Sequence, residues 1–281
     1  MEARVITVNN VNLLTRTAGP EAGPLIVLLH GFPDSARTWT HLQEALAADG
    51  WFTAAPVQRG YDGSSRPENP ASYHLEELRR DVLGLIQAFG RRDAVLIGHD
   101  WGGAVAWYTA AVSPESVRAL LPINMPHPAA MQKEILRLSR QTLRSQYVAF
   151  FQLPRLPEKL LTPSVLEASL VKTANPGTFS EEELQAYREG WQEEDTRRTM
   201  IHWYRALRYI RFPSHRIQVP VRMLWGLQDP FLDKETAKKS LSCTENGRLI
   251  FVDDATHWIH HEHPALTARL VKELLASADE T

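Results

Sequence analysis

Hydrophobic positions along the chain alternate between short continuous runs and helical spacing. Leu25–Leu29, residues 52–55, Ala94–His99 and residues 119–123, 221–225 and 249–252 are short apolar runs, the pattern of strands covered on both faces. Residues 39–48, 75–89 and 264–276 instead repeat every three to four positions, as helices do, with Gly90 closing the second. Near the start, residues 5–8 and 11–14 flank Asn9-Asn10 and predict a β-hairpin, because asparagine tolerates the positive φ of such turns. Strands alternating with helices predict an α/β fold with a mostly parallel sheet and right-handed crossovers.

The alternation stops at Asn124. From there to about residue 215 the chain has helical patterns and prolines but no strand pattern, and Thr162-Pro163 and Ser180-Glu181-Glu182-Glu183 read as helix starts. This predicts a core made of residues 1–123 and 216–281 with a helical cap, 124–215, inserted in it. A block inserted there would cover the carboxyl ends of the strands, where α/β sheets take ligands.

Composition narrows the class. The chain has 281 residues, 43% hydrophobic and 23% charged, an ordinary globular balance. A net charge of −2 with both signs interspersed offers no basic field for nucleic acid or an anionic membrane. The single Cys243 cannot form an internal disulfide. There is no apolar signal core at the start and no uninterrupted apolar span, so the expectation is a cytoplasmic protein without a stable membrane anchor. The pattern sets no oligomeric state.

The chemistry centres on Asp100. The strand Ala94–His99 runs into Asp100-Trp101-Gly102-Gly103 and then a helical stretch, which is the frame of a nucleophile elbow. Gly98-His99-Asp100-Trp101-Gly102 places aspartate where G-x-S-x-G has serine. A carboxylate there attacks electrophilic saturated carbon and becomes the acyl half of an ester. Asp229, after the strand 221–225, and His257, after the strand 249–252, complete the order nucleophile, acid, histidine at one edge of the sheet. Singly, Asp229 before Pro230 also reads as a turn residue and His257 as a surface histidine. The loop His30-Gly31-Phe32-Pro33 follows Leu25–Leu29, so the N–H groups of Phe32 and Trp101 are candidate oxyanion donors.

The run His257-Trp258-Ile259-His260-His261-Glu262-His263 raises the question of a metal. It lacks the H-E-x-x-H order, and no carboxylate or cysteine cluster elsewhere in the sequence completes three or four ligands, so neither metal nor cofactor is expected.

Taken together, His30-Gly31-Phe32-Pro33, Arg59-Gly60-Tyr61 with Ser64, Gly98-His99-Asp100-Trp101-Gly102-Gly103 and His257-Trp258 with Pro264 resemble the soluble epoxide hydrolase branch of the α/β-hydrolase superfamily, over nearly the whole chain. The resemblance implies two cap tyrosines. Tyr147, four residues before Phe151, matches the first, although a shifted alignment would put Phe150 there; Tyr204 matches the second. From the residues alone both tyrosines fit a buried aromatic core equally well, since Met200, Tyr204 and Leu207 share a helical face.

What the resemblance implies is a small apolar epoxide as substrate, lined by Phe32, Trp101, Phe150, Leu153 and Ile259. Tyr147 and Tyr204 would assist the departing oxygen, Asp100 would form a hydroxyalkyl ester, and His257 with Asp229 would direct water onto it to release a vicinal diol. Two alternatives stand beside it. A haloalkane dehalogenase resembles it in having aspartate followed by tryptophan, although Phe32 stands where its loop asparagine often does. The other is a hydrolase-fold protein that binds ligands without turnover.

Overall fold

The computed structural model describes residues 1–210 and 216–279. Eight strands form one sheet: β1 (Glu2–Val8), β2 (Val11–Ala18), β3 (Leu25–Leu29), β4 (Phe52–Pro56), β5 (Ala94–His99), β6 (Val117–Ile123), β7 (Val221–Gly226) and β8 (Gly247–Val252). Their order is β1-β2-β4-β3-β5-β6-β7-β8. β1 and β2 form the expected hairpin, paired antiparallel from Glu2 opposite Thr17 to Val8 opposite Val11. Asn9 and Asn10 carry φ of 45° and 60° at its tip, which a two-residue turn matching the twist of the strands requires. β2 also runs antiparallel to β4, and every other pairing is parallel.

The apolar runs at β3, β4 and β5 are buried along their whole length, as strands covered on both faces must be. The covering helices are α1 (Thr40–Ala48), α2 (Leu75–Ala88), α3 (Trp101–Val112), and, near the end of the chain, α11 (Lys234–Ser240), α12 (Ile259–Glu262) and α13 (Pro264–Asp279). α1 packs against α13 and α2 against α3. Gly90, with φ of 68°, follows α2 as the sequence predicts.

Between β6 and β7 the described chain is helical: α4 (Pro128–Leu136), α5 (Arg140–Arg144), α6 (Gln146–Phe150), α7 (Leu156–Leu160), α8 (Pro163–Thr173), α9 (Glu181–Gly190) and α10 (Glu194–Arg205). Thr162 caps α8 through the Val165 N–H, and Ser180 with Glu183 closes a capping box on α9. Both helix starts predicted from sequence are thus present. The expected end of the insertion, at residue 215, lies outside the described residues.

Arg59, one of the motif residues, works here as a structural ion pair. Its guanidinium makes two hydrogen bonds to Asp81, of 2.6 and 2.5 Å, and both side chains are buried. Its third nitrogen donates to the Ser72 carbonyl at 2.7 Å.

Candidate active site

Asp100 sits on the turn between β5 and α3 with φ of 48° and ψ of −122°, a conformation that non-glycine residues rarely take. The turn is held by its ends. The Asp100 N–H donates to the Ile123 carbonyl on β6, and its carbonyl accepts from the Ala104 N–H. It also needs a bare backbone at Gly102, because a Cβ there would stand 2.1 Å from the Leu29 carbonyl oxygen. The result is a strained elbow that lifts the carboxylate away from the sheet.

The loop after β3 meets that carboxylate. The Phe32 N–H donates to Asp100 Oδ1 at 3.0 Å, and the Trp101 N–H also favours its charged form. Gly31 permits the approach, since a Cβ there would lie 2.5 Å from Asp100 Cβ. Burial raises the Asp100 pKa above its ordinary value; His257 and the two N–H groups pull in the other direction.

His257 faces the other carboxylate oxygen, with Nε2 3.8 Å from Asp100 Oδ2. Its Nδ1 lies 2.7 Å from Asp229 Oδ2. Because an ionised carboxylate only accepts, that bond makes Nδ1 the donor and leaves Nε2 as the basic nitrogen of the neutral ring. Burial works against the imidazolium, but Asp229 and Asp100 outweigh it, so the His257 pKa is raised.

Asp229 is densely held. Its Oδ1 accepts from the Phe231 and Leu232 N–H groups at 2.7 and 2.9 Å, and its Oδ2 accepts from Asn124 Nδ2 at 2.6 Å. Asn124 stands at the end of β6 with φ of 42°, and its side-chain oxygen Oδ1 accepts from the Gly226 N–H at 3.0 Å. Arg144 on α5 donates to the Asp229 and Leu232 carbonyls, both at 2.8 Å. Asn124 was legible in sequence only as the point where the strand alternation stops. An asparagine at a strand end, able to take positive φ, is the signal that could have found it.

Tyr147 on α6 and Tyr204 on α10 come together, rings 5.7 Å apart and inclined at 74°. Tyr204 also sets its ring edge-on to Trp101 and to Phe32, both at 5.2 Å. Burial raises both phenol pKa values, and the Asp100 charge adds to the effect, so both hydroxyls remain protonated and able to donate. Asp100, Trp101, Tyr147 and Tyr204 share one cavity of about 700 Å³. Its walls are mainly apolar, including Met131, Ile135, Val148 and Leu207, with Asp100 and Arg208 as their charged members among the described residues.

The other residues expected to line it lie elsewhere. Phe32 packs on Tyr204 and Phe151 and contributes its N–H rather than cavity wall. Phe150 packs on Phe151 at 6.0 Å, Leu153 is 45% exposed, and Ile259 is completely buried in the core. Apolar character near a motif identifies a residue as packed, but not against what.

The histidine run divides as well. His260 and His261 both place Nε2 2.6 Å from the Thr38 hydroxyl, and with Asp34 they form the one group of potential metal ligands among the described residues. Asp34 accepts from Tyr187 and from the Ser35 N–H, and stays ionised with a pKa of about 2, burial being overcome by the surrounding imidazoles and chiefly His260. Burial lowers His261 to about 3, so its ring is neutral. Neither Asp34 nor Tyr187 is marked by any local sequence pattern.

The chain is also similar in sequence and fold to known proteins. The family described as the alpha/beta hydrolase fold matches residues 24–264. The AB hydrolase superfamily protein YfhM of Bacillus subtilis (strain 168) is 41% identical, covering 98% of each chain. Epoxide hydrolase 4 of Mus musculus is 31% identical over 90% of this chain and 73% of its own. Among solved structures, an epoxide hydrolase of Bacillus megaterium in complex with an inhibitor superposes with a TM-score of 0.87 at 27% identity, covering 97% of this chain and all (100%) of that one. Among the described residues no helix is long and apolar enough to cross a membrane.

Proposed function

The chain belongs to the epoxide hydrolase branch of the alpha/beta hydrolase family, and from that premise we propose that it converts a small apolar epoxide to a vicinal diol through an ester of Asp100. The observation that carries this reading is the cavity shared by the Asp100 carboxylate and the Tyr147 and Tyr204 rings. An ionised nucleophile and two protonated phenols on one apolar space are what ring opening of an epoxide demands.

The epoxide oxygen accepts hydrogen bonds from Tyr147 and Tyr204. Asp100 attacks a ring carbon, the strained C–O bond breaks, and its electrons leave on an alkoxide that takes a phenolic proton. The product is a hydroxyalkyl ester and no group departs. His257 Nε2 then takes a proton from water as that water adds to the ester carbonyl, while Asp229 stabilises the imidazolium. The Phe32 and Trp101 N–H groups receive the oxyanion, a contribution of roughly 3–4 kcal/mol per donor. Collapse of the intermediate expels the second diol oxygen, which takes the proton held by His257, and the proton left on the Asp100 carboxyl restores the phenol, so Asp100, His257 and the tyrosine all return to their starting states. No step calls for a metal or cofactor. With Cys243 as its one cysteine, the enzyme depends on no disulfide, which suits a cytoplasmic setting.

A single turnover in oxygen-18 water tests the route. The label is expected in the Asp100 carboxylate, the diol taking its new oxygen from the protein. Label found directly in the first diol formed would mean that water, not Asp100, opens the ring.

A further inference from the structure

The loop that carries the Phe32 N–H is gripped from the inserted helices. Tyr187 on α9 donates to Asp34 Oδ1 at 2.5 Å, and Trp191, which caps the end of the same helix, donates its indole N–H to the Pro33 carbonyl at 2.9 Å. The two rings stack 5.3 Å apart at an angle of 15°, and both are buried. Pro33 and Asp34 follow Phe32 directly, and the Ser35 N–H adds a bond of 2.6 Å to the same Asp34 oxygen. The Phe32 N–H is therefore fixed by Asp100 on one side and by two α9 side chains on the other.

The second Asp34 oxygen looks towards the base. It lies 3.5 Å from His260 Nε2 and 3.9 Å from His99 Nδ1. The His99 ring packs 4.6 Å from that of His257, and its Nε2 meets the His257 carbonyl at 3.0 Å. Asp34 is thus hydrogen-bonded to the oxyanion loop, while its second oxygen and His99 Nδ1 have no hydrogen-bond partner among the described residues and meet the histidine side through packing alone.

We propose that Tyr187 and Trp191 are positioning residues for the reaction: α9 holds Pro33 and Asp34 so that the Phe32 N–H stays aimed at the charge developing on the Asp100 ester. This rests on the ester route proposed above. Slowing hydrolysis of the ester lowers kcat and, as the ester accumulates, lowers KM with it, while kcat/KM, set by binding and ester formation, stays nearly unchanged. A contact that merely docks helix on loop would show itself in stability or in kcat/KM instead.

The test uses the full chain, with rapid quenching and intact mass to time ester formation and ester hydrolysis separately, alongside KM and thermal unfolding. In Tyr187→Phe, which removes one oxygen atom, ester hydrolysis is expected to slow about tenfold, a fraction of the roughly 10²–10³ lost when a donor is deleted outright. Trp191→Phe and Asp34→Asn should slow the same step, which keeps the test open if one variant folds poorly. Unaltered hydrolysis in all three, or changes confined to kcat/KM and unfolding temperature, would overturn the proposal. Ester formation by the unaltered protein is the separate arm: its absence would overturn the underlying ester route, whereas normal ester formation with unaltered variants overturns the positioning role alone.

Discussion

Asn124 and His257 share one oxygen of Asp229, the amide donating at 2.6 Å and the imidazole at 2.7 Å. The amide donor holds that oxygen aimed along the bond to the ring. A hydrogen bond to a charged group contributes about 1.5–3 kcal/mol, so Asn124→Ala is expected to cost roughly 10- to 100-fold in kcat. Steady-state diol formation measures it, and the loss should fall on ester hydrolysis, the step that uses His257.

The pH dependence follows from the raised His257 pKa. Only the neutral ring accepts a proton from water, so activity is present above that pKa and is lost as pH falls through it. The acid limb of kcat should therefore lie above about 6.5, the ordinary imidazole value. Asp229→Asn removes the main partner that raises it. In that variant the limb should move to lower pH while kcat drops by orders of magnitude. A pH profile of both proteins checks direction and size together.

The two tyrosines act on ring opening, where their protons are needed. Tyr147→Phe and Tyr204→Phe should each slow ester formation by about 10²-fold, the lower end for general acid catalysis, and leave hydrolysis of a preformed ester unaffected. Because both donate to one oxygen, the double variant should lose far more than either alone. Timing of adduct formation by intact mass distinguishes the two steps.

Stability offers an independent check on Arg59. Breaking a buried ion pair from one side strands the other charge, at about 3–5 kcal/mol. Arg59→Met should show that loss in denaturant unfolding because it leaves Asp81 buried with only Asn9 Nδ2, at 3.0 Å, to answer it.

Asp100, Asp229 and His257 were legible because the first follows β5 directly and the others lie in the loops just after β7 and β8, and strand ends of a parallel sheet converge on one edge. The hairpin and both helix starts were legible because asparagine turns and capping boxes write their geometry into adjacent residues. What stayed hidden was contact across the chain. Asn124 is 105 positions from Asp229, and Tyr187 is 153 from Asp34. Nothing local marks either pair. The expected lining of Phe150, Leu153 and Ile259 failed for the same reason: an apolar side chain fits core and cavity equally, and only the packing of α4, α6 and α10 decides which.

The central claim is that Asp100 becomes an ester and His257 releases it. His257→Gln, mixed with an epoxide and followed by intact-mass measurement, tests it most directly. The account predicts an adduct equal to the whole mass of the epoxide, located on Asp100, forming once and then persisting while diol production stalls. An unmodified protein that continues to make diol at the full rate would contradict it.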